Sequence, residues 1–278
     1  MNQLTRSLNF FGCLAVGSIL FFSEIQSVAQ KGDVEGLRYK TGWGSVVKLG
    51  TELYGTLTPE AKKCVHSKPI NVETDVTPTV RLEELKNEEL TSPLATIFIS
   101  AGFIDLVNNV AHAKAIDKIQ KGYFEKYIAS LAGENGEKEL KELPGLSNPK
   151  FWTESMINEQ LSNFNQMVGV VVGINLSHYY LGPYKKYESK LVETQGKSMA
   201  INALLTQQEW DRALRFGVIN ALKCGYGVDG VLALFECIDK MPKRPAWTVF
   251  FVPDSVKASA AKREIKKLED RFMRGEQL

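Results

Sequence analysis

The sequence predicts an α+β chain, mostly helical with one small sheet. Three observations carry this. Strand-like patterns are confined to three short runs, Ile70–Val76 (INVETDV), Val80–Leu82 and Ala95–Ser100 (ATIFIS). From Ala101 onward apolar residues recur mostly at three- and four-residue spacing, the period of a helix with one buried face. The stretch from Met167 to Ile174 is apolar apart from two glycines, as expected of a helix buried in a core.

In chain order, residues 1–29 read as an export signal. Arg6 precedes an apolar stretch from Leu8 to Phe22, and Ser27-Val28-Ala29 offers the small residues a signal peptidase reads, so cleavage is expected before Gln30. The stretch is short for a membrane span. Cys13 follows Gly12, but the chain stays apolar after it, which argues against lipidation. Residues 30–278 are expected to form one domain, periplasmic or secreted. At 278 residues and 44% hydrophobic content the chain can bury a full core. A net charge of +2, with no basic stripe interleaved with aromatics, gives no sign of a nucleic-acid partner. No later segment has the length to cross a bilayer, which leaves peripheral membrane association open. Cleavage would leave Cys64, Cys224 and Cys237, an odd number at irregular spacing with no CxxC motif.

Within that domain, Thr58 is placed to cap a short helix at Pro59–Val65, with Pro59 as its first residue. After the three strands, Ala101–Leu131 reads as one long helix carrying Phe103, Leu106, Val107, Val110, Ile116, Ile119, Phe124 and Tyr127, with His112 and Lys114 on its polar face. Glu134–Leu146 is charged and reads as a surface loop or frayed helix. A helix starting at Ser147-Asn148-Pro149 then leads into the central stretch, which Gly182-Pro183 ends. Thr206-Gln207-Gln208-Glu209 is a capping box, so a helix is expected from Thr206 to Lys223. Asp229 is expected to cap a helix over Gly230–Met241, Trp247–Val252 to be extended, and Ala258–Phe272 to form a charged amphipathic helix.

The central stretch, NQMVGVVVGINLSHYYLGPY from Asn165 to Tyr184, turns polar at Asn175, Ser177 and His178. It resembles the zinc helix of the HExxH gluzincin metallopeptidases of the HtpX and CAAX-prenyl-protease-like group, whose members read roughly VVGHELSHYYLGHY. Ile174 stands at the place of the first zinc-binding His, Asn175 at that of the catalytic Glu, and His178 at that of the second His. Two His at i and i+4 share a helix face and reach one Zn²⁺, and the Glu takes a proton from the zinc-bound water. Ile174 has no lone pair, and the Asn175 amide is not a base.

The family's third ligand is a Glu in a pattern close to EADRxGxxxxxxAGY. Here RALRFGVINALKCGY, Arg212 to Tyr226, aligns Arg212 with that Glu and Leu214 with the supporting Asp, while Arg215 and Gly217 match. A competing register uses Glu209-Trp210-Asp211. The preferred Arg212 register implies that Arg212 lies beside His178. Phe251-Val252-Pro253 loosely resembles the family's THP element, with Val252 where His is usual. The resemblance covers about Ala95 to Leu268. It implies a zincin-like fold, with a small mixed sheet beside the site helix and an edge strand, Thr96, Ile97, Phe98, Ile99 and Ser100, that binds extended substrate.

Three functions are compatible with these features. The first is a degenerate peptidase that binds a peptide or protein, of unspecified identity, in the former cleft without cleaving it. That cleft would be formed by Ile174, Asn175, His178, Arg212 and Leu214. No cofactor and no catalytic residue are then expected. The second is an active zinc endopeptidase with His178 and Glu209 as atypical ligands and Asp211 as a further candidate. The third is a structural envelope protein.

Overall fold

The computed structural model describes residues 34–86, 90, 92–131, 140–193, 200–241, 243–276 and 278. The expected signal peptide and its cleavage point at Gln30 lie outside these residues, as do residues 134–139 of the expected loop at Glu134–Leu146. The chain divides into two units, Met1–Thr41 and Gly42–Leu278, and the second of them carries the sheet and the central helices.

Nine helices of the α type and three strands occur among the described residues. Helix α1 spans Val34–Thr56 and α2 Pro59–Lys62; strands β1, β2 and β3 span Val65–Glu73, Val80–Leu85 and Leu94–Ser100. Helices α3 (Ala101–Asp117), α4 (Tyr123–Leu131), α5 (Glu154–Tyr180), α6 (Pro183–Glu193), α7 (Gln207–Lys223), α8 (Asp229–Lys240) and α9 (Ala258–Met273) complete the chain, with 3₁₀ turns at Pro149–Trp152, Ile201–Leu204 and Ala246–Phe250. The protein is thus α+β, mostly helical with a small mixed sheet.

The sheet has the order β1-β3-β2, with β1 parallel and β2 antiparallel to β3. Strand β3 (LATIFIS) therefore hydrogen-bonds on both sides, which corrects the expectation that residues 96–100 are an edge. Ala95, Thr96, Ile97 and Ile99 are buried without alternation, as suits a strand covered on both faces. β1 begins at Val65, earlier than its alternating core suggests, because a register shift between Val65 and Ile70 carries the pairing past Pro69. Arg81 of β2 reaches over the Phe98 ring, 5.8 Å from its centroid, to a forked pair with Glu73 of β1 at 2.6 and 2.8 Å. That pair links the two outer strands across the central one.

β3 runs straight into α3, where Ser100 caps the helix by accepting from the Phe103 amide at 3.0 Å. The single helix expected over Ala101–Leu131 is two. The Asp117 carboxylate accepts from the Phe124 amide, 3.1 Å away, and so anchors the start of α4 after a turn. α3 is buried nearly all round, including Asp105, Asn108, Asn109 and His112. The expected solvent face at His112 is therefore absent. The imidazole is buried, 2.8 Å from the Phe151 carbonyl and edge-on to Trp152 at 4.6 Å. Asn108 accepts from the Gln160 amide of α5 at 3.0 Å, a buried polar tie between the two helices.

α5 is the hub. Thr153 caps it, it contacts α3, α7, α8, β2 and β3, and it ends where Gly182 takes φ 101 before Pro183. Thr58 and Thr206 cap α2 and α7 as expected, and Glu209 completes the capping box. Asp229 is the first helical residue of α8 rather than its cap, with the carboxylate in the favourable first turn. Residues 246–250 form a 3₁₀ turn rather than an extended segment, and pack Trp247 and Phe250 into the core. The C-terminal turn of α1 docks on α7, where Asn220 Nδ2 donates to the Leu53 carbonyl (3.1 Å) and to Thr56 Oγ1 (2.6 Å).

Candidate functional site

The residues aligned with the peptidase centre lie on the C-terminal half of α5 and on α7. The two helices cross antiparallel along small residues. Ser177 Oγ lies 3.4 Å from the Ala213 carbonyl, and Gly169 faces the Ala221 methyl. A Cβ on Gly173 would sit 2.8 Å from the Gly217 carbonyl oxygen, and one on Gly217 only 2.5 Å from the Ile174 nitrogen. This close approach leaves no space between the helices for a ligand.

Ile174 is buried against Gly217, and Leu214 is buried in the same core. Asn175 is buried and turns its amide back onto the Val171 carbonyl at 2.8 Å, a satisfied bond within its own helix turn. His178 is fully buried, with Nε2 3.2 Å from Asn202 Oδ1. Asn202 in turn donates its amide to the Phe250 carbonyl at 3.1 Å, so its oxygen faces the imidazole and Nε2 carries the proton. Nδ1 has no partner among the described residues. Burial pushes the imidazole down to about 4, outweighing the upward pulls of the Asn202 bond and the Glu209 charge. Val252, at the family's other His position, is buried as well.

Among the described residues no open cleft has His178 as its floor, because Ile174, Asn175, Leu214 and His178 all lie inside the packed core. Arg212 parts company with them. It is exposed, and lines a groove on the outer flank of α7 whose walls do not include His178. Of the two candidate positions, Glu209 exerts an upward electrostatic pull on the His178 imidazole, whereas Arg212 lines the outer groove.

Glu209 is already committed. Its carboxylate accepts from Lys186 Nζ (2.7 Å), Tyr187 Oη (3.0 Å) and the Thr206 amide and hydroxyl (both 2.9 Å). Burial pushes its pKa up, but these bonds prevail and hold it at about 2. Asp211 is exposed and accepts from the Gln207 amide at 2.7 Å. Among the described residues no three His, Cys, Asp or Glu converge as a metal-ligand group.

β2 is the outer strand of the sheet that contacts α5. Tyr179 donates to Glu84 at 2.7 Å, and Lys185 and Lys86 both pair with that carboxylate. Glu84 is nearly buried, which opposes ionisation, yet its three donors together hold its carboxyl below the usual carboxylate range. This cluster fastens the β2 edge to the ends of α5 and α6.

Sequence reasoning missed two things. Asn202, the partner of His178, sits in a short 3₁₀ turn with no motif around it. The row Arg212, Phe216, Ile219 and Lys223 did leave a trace, since its spacing of four, three and four puts all four residues on one helix flank. Compared with known proteins, the chain matches no family model, no curated protein and no solved structure.

Proposed function

We propose that this is an exported, zincin-like protein derived from the gluzincin plan, which binds a peptide or protein segment without hydrolysing it. The observation that supports the reading is the state of the three HExxH positions. Ile174 fills the helix crossing, Asn175 is spent on its own helix, and His178 is a neutral imidazole held by Asn202 in the core. The residues present do not fit a catalytic zinc. One ligand position is an aliphatic side chain, the base position is an amide, and the nearest carboxylate, Glu209, is bound by Lys186, Tyr187 and Thr206.

In this reading the recognition edge is β2 rather than β3. It is an outer strand of the sheet, and it lies beside the end of α5. The test is to purify the full chain from an export-competent host and measure metal content, casein cleavage with and without chelator, and binding to a panel of extended peptides. Expected are no chelator-sensitive cleavage and binding of unmodified peptide. Chelator-sensitive cleavage that is lost in a His178→Ala variant would overturn the proposal.

A further inference from the structure

The outer flank of α7 carries a second feature that the peptidase reading does not use. Between the end of α1, α2 and α7 lies a groove of about 440 Å³, within the range of small-molecule sites. Its floor is apolar. Tyr180 meets Phe216 edge to face, with ring centroids 6.2 Å apart, and Ile219 continues the surface along the helix. Phe216 is 37% exposed, one of the few large hydrophobic side chains left open. Three cations, Arg212, Arg215 and Lys223, line the same groove, together with Leu278. Among the described residues none of the three has a carboxylate partner, although the chain as a whole carries nearly balanced charge, 34 Lys and Arg against 32 Asp and Glu. Other surface lysines are paired with acids, as Lys185, Lys186 and Lys240 are.

We propose that this groove binds a compact anionic amphiphile, its carboxylate or phosphate head held by Arg212 and Arg215 and its apolar body laid on Phe216, Ile219 and Tyr180. Charge complementarity selects the head, because a guanidinium pair takes a planar or tetrahedral oxyanion through forked bonds. Lys223, one turn beyond Ile219, adds a third positive charge to the groove. The exposed aromatic floor selects the body, since a fully hydrated anion such as inorganic phosphate would leave Phe216 uncovered. Of the residues the peptidase reading assigns to the former cleft only Arg212 lines this groove, and Ile174, Asn175, His178 and Leu214 do not.

The test is titration calorimetry on the full chain with dodecanoate, dodecyl phosphate, dodecanol and inorganic phosphate, each as monomers in solution. Dodecanoate and dodecyl phosphate should bind, and dodecanol and inorganic phosphate should bind about tenfold more weakly or not at all. The Arg212→Ala/Arg215→Ala variant should lose about tenfold or more in affinity, as expected for removing charge-assisted bonds. Phe216→Ala should weaken both amphiphiles, and Arg263→Ala on α9 should change nothing. Rising ionic strength should weaken the anionic probes and leave dodecanol unaffected. Flotation with anionic phospholipid vesicles separates the two sources of such a head: free amphiphile binding without flotation points to a soluble ligand, and both together to a membrane lipid. Equal affinity for dodecanol and dodecanoate, wild-type affinity in the double Arg variant, or binding of an acidic peptide with no binding of either amphiphile would each overturn the proposal.

Discussion

Gly173 and Gly217 meet backbone to backbone where α5 crosses α7, with no room for a methyl group on either. The contact is made by main-chain atoms, which cannot swing aside as a side chain can. Gly217→Ala should therefore destabilise the fold by about 1–3 kcal/mol, the ordinary cost of overpacking. Gly169 lies on the same seam but would meet mainly the edge of the Tyr226 ring at 3.2 Å. There the helix-propensity gain of about 0.8–1 kcal/mol offsets a small ring shift, so Gly169→Ala should be close to neutral. Urea unfolding of the two variants makes the comparison. Equal losses at both positions would show that backbone contact is not the cause.

The buried His178 predicts an acid sensitivity with a defined window. Its folded value of about 4 lies below the ordinary 6.5, so the unfolded chain binds the extra proton first. Stability from this site is complete above about 6.5, falls as the pH drops, and is lost by about 4, a change of about 3 kcal/mol. Unfolding free energies measured across that range should show the slope in the wild type and lack it in His178→Gln. A parallel slope in both would assign the effect elsewhere.

Glu209 makes the opposite contribution at lower pH. Its carboxyl sits at about 2, below the usual 4.5, so its stabilisation is present above 4.5 and is lost as pH falls toward 2. It also closes the capping box of α7. Glu209→Ala should cost about 1 kcal/mol at neutral pH, typical of a lost cap. Removing its charge should lower the His178 value further, which ring-proton chemical shifts against pH would report. An upward shift would contradict the proximity of the two groups.

Zinc grafting distinguishes the two registers. In an Ile174→His/Asn175→Glu chain, adding Arg212→Glu should leave zinc content unchanged, because position 212 faces the outer groove. The double change should itself cost about 2–5 kcal/mol, since it puts an imidazole and a carboxylate into a packed, buried site. Metal analysis after gel filtration is the readout. Stoichiometric zinc that appears only with Arg212→Glu would restore the Arg212 register.

Local signals in the sequence are legible because they act locally. Thr58 and Thr206 cap the helices they precede, and the apolar run at Met167–Ile174 is buried as its composition requires. The departures all depend on partners far along the chain. His112 looks like a surface residue until Phe151 supplies its carbonyl, 39 residues later. The ATIFIS strand looks the same at an edge or in the middle, and only the parallel pairing with β1 decides. The HExxH-like positions read as a cleft because such a motif belongs to one. In this chain the Gly173–Gly217 approach and the Asn202–Phe250 link close it over. Whether Glu209 or Arg212 faces His178 turns on one helical turn of register, which aligned letters do not encode.

The docking of α1 on α7 has a consequence for how the chain is made. Asn220 holds Thr56 across a separation of 164 residues, and buried Leu49 and Leu53 belong to the same helix. At ~5–20 residues per second, a ribosome needs roughly 10–30 s to travel from one partner to the other. For that interval α1 can pack on Ile70 and Ile104, but its hydrogen-bond partner on α7 has not been synthesised. The end of this helix therefore waits for α7 to complete its contacts, and nascent chains halted between Thr56 and Asn220 should leave Leu53 and Thr56 more open to proteolysis than the finished chain does.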